Sequence, residues 1–147
     1  MKMESTNSLL TMIDDDHMSI KSSFDSMINS FLQVSNHSIV MERSDIEKTF
    51  NNFIIIIGNH FVNEEFIMNK YYYEDQVLHR ESHRGYLIHL KSLRDKIYAG
   101  ATVESIVQAL SDFFVSWDYF HVSHADKRLC KFIKSLDIDD FWNPSSD

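Results

Sequence analysis

A chain of 147 residues suits one domain and is long enough to bury a substantial core. Its 44% hydrophobic content is too high for a disordered segment, and its net charge of −8 argues against nucleic acid and anionic membrane as partners, since both demand a basic face. Three Gly and one Pro leave few helix breakers, so the composition points to an all-α fold.

Met1 to Met12 reads as an irregular arm. The acidic run Asp14-Asp15-Asp16 then precedes a periodic apolar series, as helix N-termini prefer. His17, Ile20, Phe24, Met27, Ile28 and Phe31 share one face of a helix reaching about Val34. Ser35 to Arg43 reads as a loop. Ser44-Asp45-Ile46-Glu47 matches a capping box opening a second helix, whose inward positions include Phe50, Phe53, Ile57, His60, Glu64 and Met68. The run Phe53 to Ile57 is β-branched and locally strand-like, but the helical period continues on both sides of it. Asn69 to Asp75 reads as a corner. Glu74 to Tyr98 forms the third helix, burying His79, His83, Tyr86, Leu90, Leu93 and Ile97, with Gly100 as its C-terminal cap. Thr102 caps a fourth helix with Glu104 in its first turn. Val103, Ile106, Leu110, Phe113, Trp117 and His121 follow its period; it continues to Leu136 with a break near Asp126. The end, from Ile138, reads as a turn or docking segment. Four helices joined by short loops favour an up-down-up-down four-helix bundle, with one domain over 1–147 and a core over 13–136.

Cys130 is the only cysteine, so no intramolecular disulfide forms and no site can depend on several thiolates. The start lacks a hydrophobic signal core, and Phe53 to Ile57 is far too short to span a bilayer. A cytoplasmic protein with no membrane partner is expected. The oligomeric state stays open, and a monomer is compatible with everything read here.

The chemistry lies in two spaced pairs, His60 with Glu64 and His79 with His83. On an α-helix, i and i+4 lie one turn apart on one face, so both members of a pair can reach one metal centre. His17 and His121 add one inward imidazole each from the first and fourth helices. Burying so many polar groups without partners costs several kcal/mol, and coordination supplies partners. Imidazole and carboxylate together suit iron, manganese or zinc. Asp126, five residues after His121, is rotated about 140° from it on an ideal helix, so spacing leaves it either a ligand at a bulge or a surface charge. With Asp126 the set has seven members, too many for one first-row ion but suited to two ions that share bridging carboxylates.

The ordered segments His17, HFVNEE from His60, HRESH from His79 and HVSHAD from His121 resemble the signature of the hemerythrin family, bacterial branch. The resemblance runs from Ile13 to about Arg128. It implies a single-domain hemerythrin-like fold whose cofactor is two non-haem iron ions with an oxo or hydroxo bridge. His79, His83 and His121 would hold one iron. His17 and His60 would hold the other, which keeps an open position for dioxygen. Glu64 and Asp126 would bridge them. Helical offsets from these ligands add an apolar dioxygen pocket of Ile20, Phe61, Tyr86, Trp117 and Val122. Asp118 departs from the family pattern: it stands three before His121, where an apolar residue is usual. The long His17–His60 interval and the missing N-terminal Trp are further departures. His37, His89 and His124 are expected to stay off the site, and Glu65 to face outward.

The implied function is reversible dioxygen binding for carriage, storage or sensing, without catalysis. The alternative is a di-iron oxidase, peroxidase or nitric-oxide-handling enzyme using the same site. Asp118 favours that alternative if its carboxylate enters the pocket, where it could admit water or act as an acid–base group; a side chain turned to solvent would do neither.

Overall fold

The computed structural model describes residues 5–36, 42–136 and 138. They are helical almost throughout, with no strand among them. The helices are α1 (Thr6–Ser35), α2 (Arg43–Lys70), α3 (Gln76–Tyr98) and α4 (Val103–Ser116); α4 runs through a π-helical segment (Trp117–Asp126) into α5 (Lys127–Leu136). The backbone stays helical at Ser116, Trp117 and Lys127, so α4, the π segment and α5 form one rod. Each of α1 to α4 packs against two of the others, closing a four-membered bundle.

α1 starts earlier than its apolar period suggested. Ser5 accepts a hydrogen bond from the Ser8 backbone N–H at 3.0 Å, and the Ser8 hydroxyl receives the Ser5 backbone N–H at 2.8 Å. That reciprocal cap is the capping box with Ser in place of Glu. Leu9 and Ile13 on this first stretch are buried against Ile67, Met68, Leu129 and Ile133, so the expected irregular arm is helical from Thr6. Residues 1–4 lie outside the described set.

The expected capping box at Ser44 is not formed. α2 begins at Arg43 with Glu42 as an uncapped N-cap, and Glu47 pairs with Arg43 at 3.1 Å instead. The Phe53–Ile57 stretch is helical, because Phe53, Ile54 and Ile57 reach the core only at helical spacing. Gly100 takes φ +93°, a conformation that favours glycine, and lets the Ala101 N–H reach the Lys96 carbonyl behind it. The Thr102 side chain caps α4 through the Ser105 N–H at 3.3 Å, as the sequence suggests. The expected loop at 35–43 lies largely outside the described residues. So does the terminal segment, apart from Ile138, which bonds to Thr6.

The core has two apolar layers. One holds Ile20, Phe24, Phe53, Ile57, Leu90, Phe113 and Trp117; the other holds Leu9, Ile13, Ile67, Met68, Tyr73, Leu129 and Ile133. On every element the candidate ligands fall between the two. His17 lies between Ile13 and Ile20, His60 and Glu64 between Ile57 and Ile67, His79 and His83 between Tyr73 and Leu90, and His121 and Asp126 between Trp117 and Leu129. One polar layer therefore crosses the bundle and is sealed above and below by apolar side chains. No helix among the described residues is long and apolar enough to cross a membrane.

Candidate metal centre

Helical periodicity aims most of the polar layer inward. α2 contributes His60 and Glu64, and α3 contributes His79 and His83, each pair one turn apart on a buried face. α1 adds His17 beside the buried Ile13 and Ile20.

The π segment solves the spacing problem of the last pair. Trp117 and Leu129 are both buried, yet twelve positions separate them, which leaves them about 120° out of register on an ideal α-helix. Dropping one residue from the count reduces the mismatch to about 20°. A π-helix bonds i to i+5 and takes that extra residue into its wider turn. His121 and Asp126, five apart and each 1% exposed, thereby face the same interior.

The seven sequence-predicted ligands meet in two overlapping groups. Glu64, His79, His83, His121 and Asp126 form one; His17, His60, Glu64 and Asp126 form the other. Within each group the candidate ligand atoms lie within 4.8 Å of one another. Both carboxylates belong to both groups, and each divides its oxygens between them. Glu64 Oε1 is 3.1 Å from His60 Nε2, while Oε2 is 2.9 Å from His79 Nε2 and 3.0 Å from His83 Nε2. Asp126 Oδ2 is 2.8 Å from His17 Nε2, while Oδ1 is 3.0 Å from His79 Nε2 and 2.9 Å from His121 Nε2. The imidazoles all present Nε2.

Several of these close approaches are not hydrogen bonds. His60 Nε2, Glu64 Oε1 and Asp126 Oδ1 are fully buried without a partner in hydrogen-bonding geometry, despite neighbours near 3 Å. Atoms that crowd together without aligning toward each other are arranged as ligands around a point between them. A buried polar atom with no partner costs roughly 1–3 kcal/mol, a penalty that a cation in the cluster would remove. The donor set and its geometry fit a metal.

Without a metal, protons hold the cluster together. Burial disfavours charge on His60, His79, His121, Glu64 and Asp126, but their interactions with one another outweigh it. Burial opposes the His60 imidazolium, yet Asp126 and Glu64 hold its pKa up at about 10; the same balance puts His79 at about 9 and raises His121. Burial lowers His83, helped by the charges on His121 and His79 and opposed by Glu64. Glu64 and Asp126 are held well below the carboxylate range by the surrounding imidazoles, against burial and, for Asp126, against the charge of Glu64.

A pH profile follows. Carboxylates with depressed folded pKa values stabilise the fold above their unfolded values of 4.5 and 3.8 and lose that contribution as pH falls below them. His60 and His79, raised above 6.5, stabilise fully below that pH and lose their contribution as pH rises through about 9 to about 10. The metal-free protein is expected to lose stability as pH falls below 4.5 and as it rises from 7 toward 10, while the lowered His83 offsets part of the gain below 6.5. Metal binding needs unprotonated Nε2 atoms, so a loaded protein should keep its stability above pH 7. Thermal melts across pH with and without chelator check this; a metal-free melting temperature that does not fall between pH 7 and 10 would contradict it.

The ring environment is apolar. Phe61 stacks on His83 with centroids 4.0 Å apart, Trp117 stands edge-on to His17 at 6.0 Å, and Tyr86 edge-on to His121 at 5.4 Å. Ile20 is fully buried in the same layer as Phe61 and Trp117, with Tyr86 and Val122 partly buried against it. Asp118 does not join them: of the two places open to it, pocket or solvent, it takes the exposed one. On the wide π turn its position faces solvent, while Trp117 and His121 take the interior. His89 and His124 are exposed and off the site, as expected; His37 lies outside the described residues.

Glu65 is a correction. It is half-buried rather than turned outward, and its Oε1 lies 3.2 Å from His83 Nδ1. Two more outer neighbours escaped sequence reasoning. Asp16 Oδ2 is 3.2 Å from His60 Nδ1 and accepts Asn63 Nδ2–H at 3.1 Å, and Ser82 Oγ is 2.9 Å from His121 Nδ1. Asp16, Glu65 and Ser82 each sit next to a candidate ligand in sequence, at His17, Glu64 and His83. That adjacency was a usable signal, but the bonding partner is on another helix in every case.

No protein-family model, no curated protein and no solved structure matches the chain.

Proposed function

We propose that the chain is a hemerythrin-like up-down-up-down bundle, a single domain that holds two non-haem iron ions and binds dioxygen reversibly, for carriage, storage or sensing in the cytoplasm. The observation that carries the reading is the division of each carboxylate. Glu64 and Asp126 each turn one oxygen to the three-histidine group and the other to the His17–His60 group, as residues bridging two ions do.

Bound there, an iron pair would supply reversible electron transfer and the binding of dioxygen. The chain's residues do the rest. His79, His83 and His121 would hold one ion together with Glu64 and Asp126. His17 and His60 give the other group one imidazole fewer, which leaves room beside the shared carboxylates. Phe61, Trp117 and Ile20 exclude water from that layer, and a dry apolar wall disfavours loss of charged oxygen species. His17 is the least buried ligand, with 18% of its side chain exposed, so its side of the cluster lies nearest to solvent.

The oxidase reading drew its support from Asp118 in the pocket. That side chain is exposed, so carriage is favoured. The test is to load the protein with ferrous iron, confirm two equivalents per chain, and expose it to air in a stopped-flow spectrometer. Reversible binding predicts a long-lived visible band that disappears when dioxygen is removed and returns when it is restored. Rapid, irreversible conversion to the ferric form with peroxide release would overturn carriage and favour the oxidase. Asp118→Leu should leave the lifetime of the band unchanged.

A further inference from the structure

The ligand rings point Nε2 inward, so their outer nitrogens are available to neighbours. Three of these neighbours are identified above, and they differ in charge. Asp16 stands behind His60, Glu65 behind His83, and the neutral Ser82 behind His121. Each of the two groups thus has one carboxylate behind one of its imidazoles.

A carboxylate only accepts, so His60 and His83 carry a proton on Nδ1 and donate it outward. That fixes the ring orientation and leaves Nε2 for the metal. It also draws the ring toward imidazolate character, which makes Nε2 a more basic ligand. Asn63 donates to the same Asp16 oxygen, which pins that carboxylate in place. The outer pair raises the carboxylates around the cluster from two to four. Negative charge close to an ion stabilises its more highly charged state, and burial of the rings between the charges limits screening. Asp16 and Glu65 have side chains only 26% and 32% exposed, so much of that field reaches inward.

We infer that Asp16 and Glu65 are positioning residues that bias the bound iron pair toward its ferric state, one acting on each ion. The inference rests on the iron reading above. Ser82 orients His121 without adding charge, and so serves as the internal control.

The experiment compares iron-loaded wild type with Asp16→Asn, Glu65→Gln and Ser82→Ala. Asn and Gln keep an acceptor oxygen but remove the charge. Metal content of wild type is read first: a protein that takes up no iron sinks the functional reading itself. With iron present, redox titration followed by visible absorption should show higher midpoint potentials for Asp16→Asn and Glu65→Gln and a smaller shift for the uncharged Ser82→Ala. The charge-keeping Asp16→Glu and Glu65→Asp should stay close to wild type. Unmoved potentials in both charge-removing variants, or an equal shift in Ser82→Ala, overturn the inference and leave the functional reading standing. A variant too weak to stay loaded is read by chelator competition. There, ferric retention should fall at least tenfold more than ferrous retention, within the roughly 10–100-fold range known for loss of such outer partners. Equal losses of both overturn it.

Discussion

Glu64→Leu is expected to cost the protein both metal equivalents, whereas His17→Leu is expected to cost only one. The difference lies in what each side chain touches. Glu64 is fully buried and contacts His60 through one oxygen and His79 and His83 through the other, so its removal takes a ligand from both groups. His17 belongs to the smaller group alone. Its loss leaves Glu64, His79, His83, His121 and Asp126 complete. Each lost ligand should weaken its site by more than the roughly 10–100-fold that an outer partner is worth. Without metal the Glu64→Leu fold should be less stable, because removing one partner of a buried charged cluster typically costs about 3–5 kcal/mol, so both variants are compared well below their melting temperatures. Metal analysis after loading and desalting, with circular dichroism to confirm helicity, makes the comparison. Full retention of one tight equivalent by Glu64→Leu, or loss of both by His17→Leu, would refute the shared-carboxylate arrangement.

Stripping the metal should lower the melting temperature by roughly 8–16 °C for each site emptied. A ligand that binds only the native state, at a thousand times its dissociation constant, contributes about 4 kcal/mol. For a chain of this size 1 kcal/mol corresponds to roughly 2–4 °C. Binding of metal to histidines in the unfolded chain would reduce the figure. The effect has a structural location as well. The π segment departs from the commoner α-helical geometry and carries two candidate ligands, so its backbone should gain the largest protection from hydrogen exchange on loading. Calorimetry with and without chelator, followed by exchange over residues 117–126, tests both parts. Equal melting temperatures for stripped and loaded protein would remove metal as the partner of the polar layer.

The helical chain and most of the cluster were legible because they depend on local spacing. Few Gly and Pro, apolar residues at a period of 3.6, and polar pairs at i, i+4 specify which face turns inward whatever the neighbours are. That reasoning overruled the β-branched Phe53–Ile57 run, and those residues are helical. It also put His17, His60, Glu64, His79, His83 and His121 on inward faces of four helices. It failed where a residue's fate depends on something distant in sequence. Leu9 and Ile13 extend α1 backward because Ile67, Met68, Leu129 and Ile133 cover them.

The sequence by itself determined that the chain is helical and which side chains point to a common interior, since both are set by rotation per residue along one helix. Only the tertiary structure decided that the last helix widens into a π turn, bringing Asp126 round beside His121 while Asp118 stays outside. It alone paired Asp16, Glu65 and Ser82 with imidazoles on other helices. The physical reason is the same in each case. These outcomes are fixed by burial and contact between segments far apart in the chain, and nothing in local periodicity records such contacts.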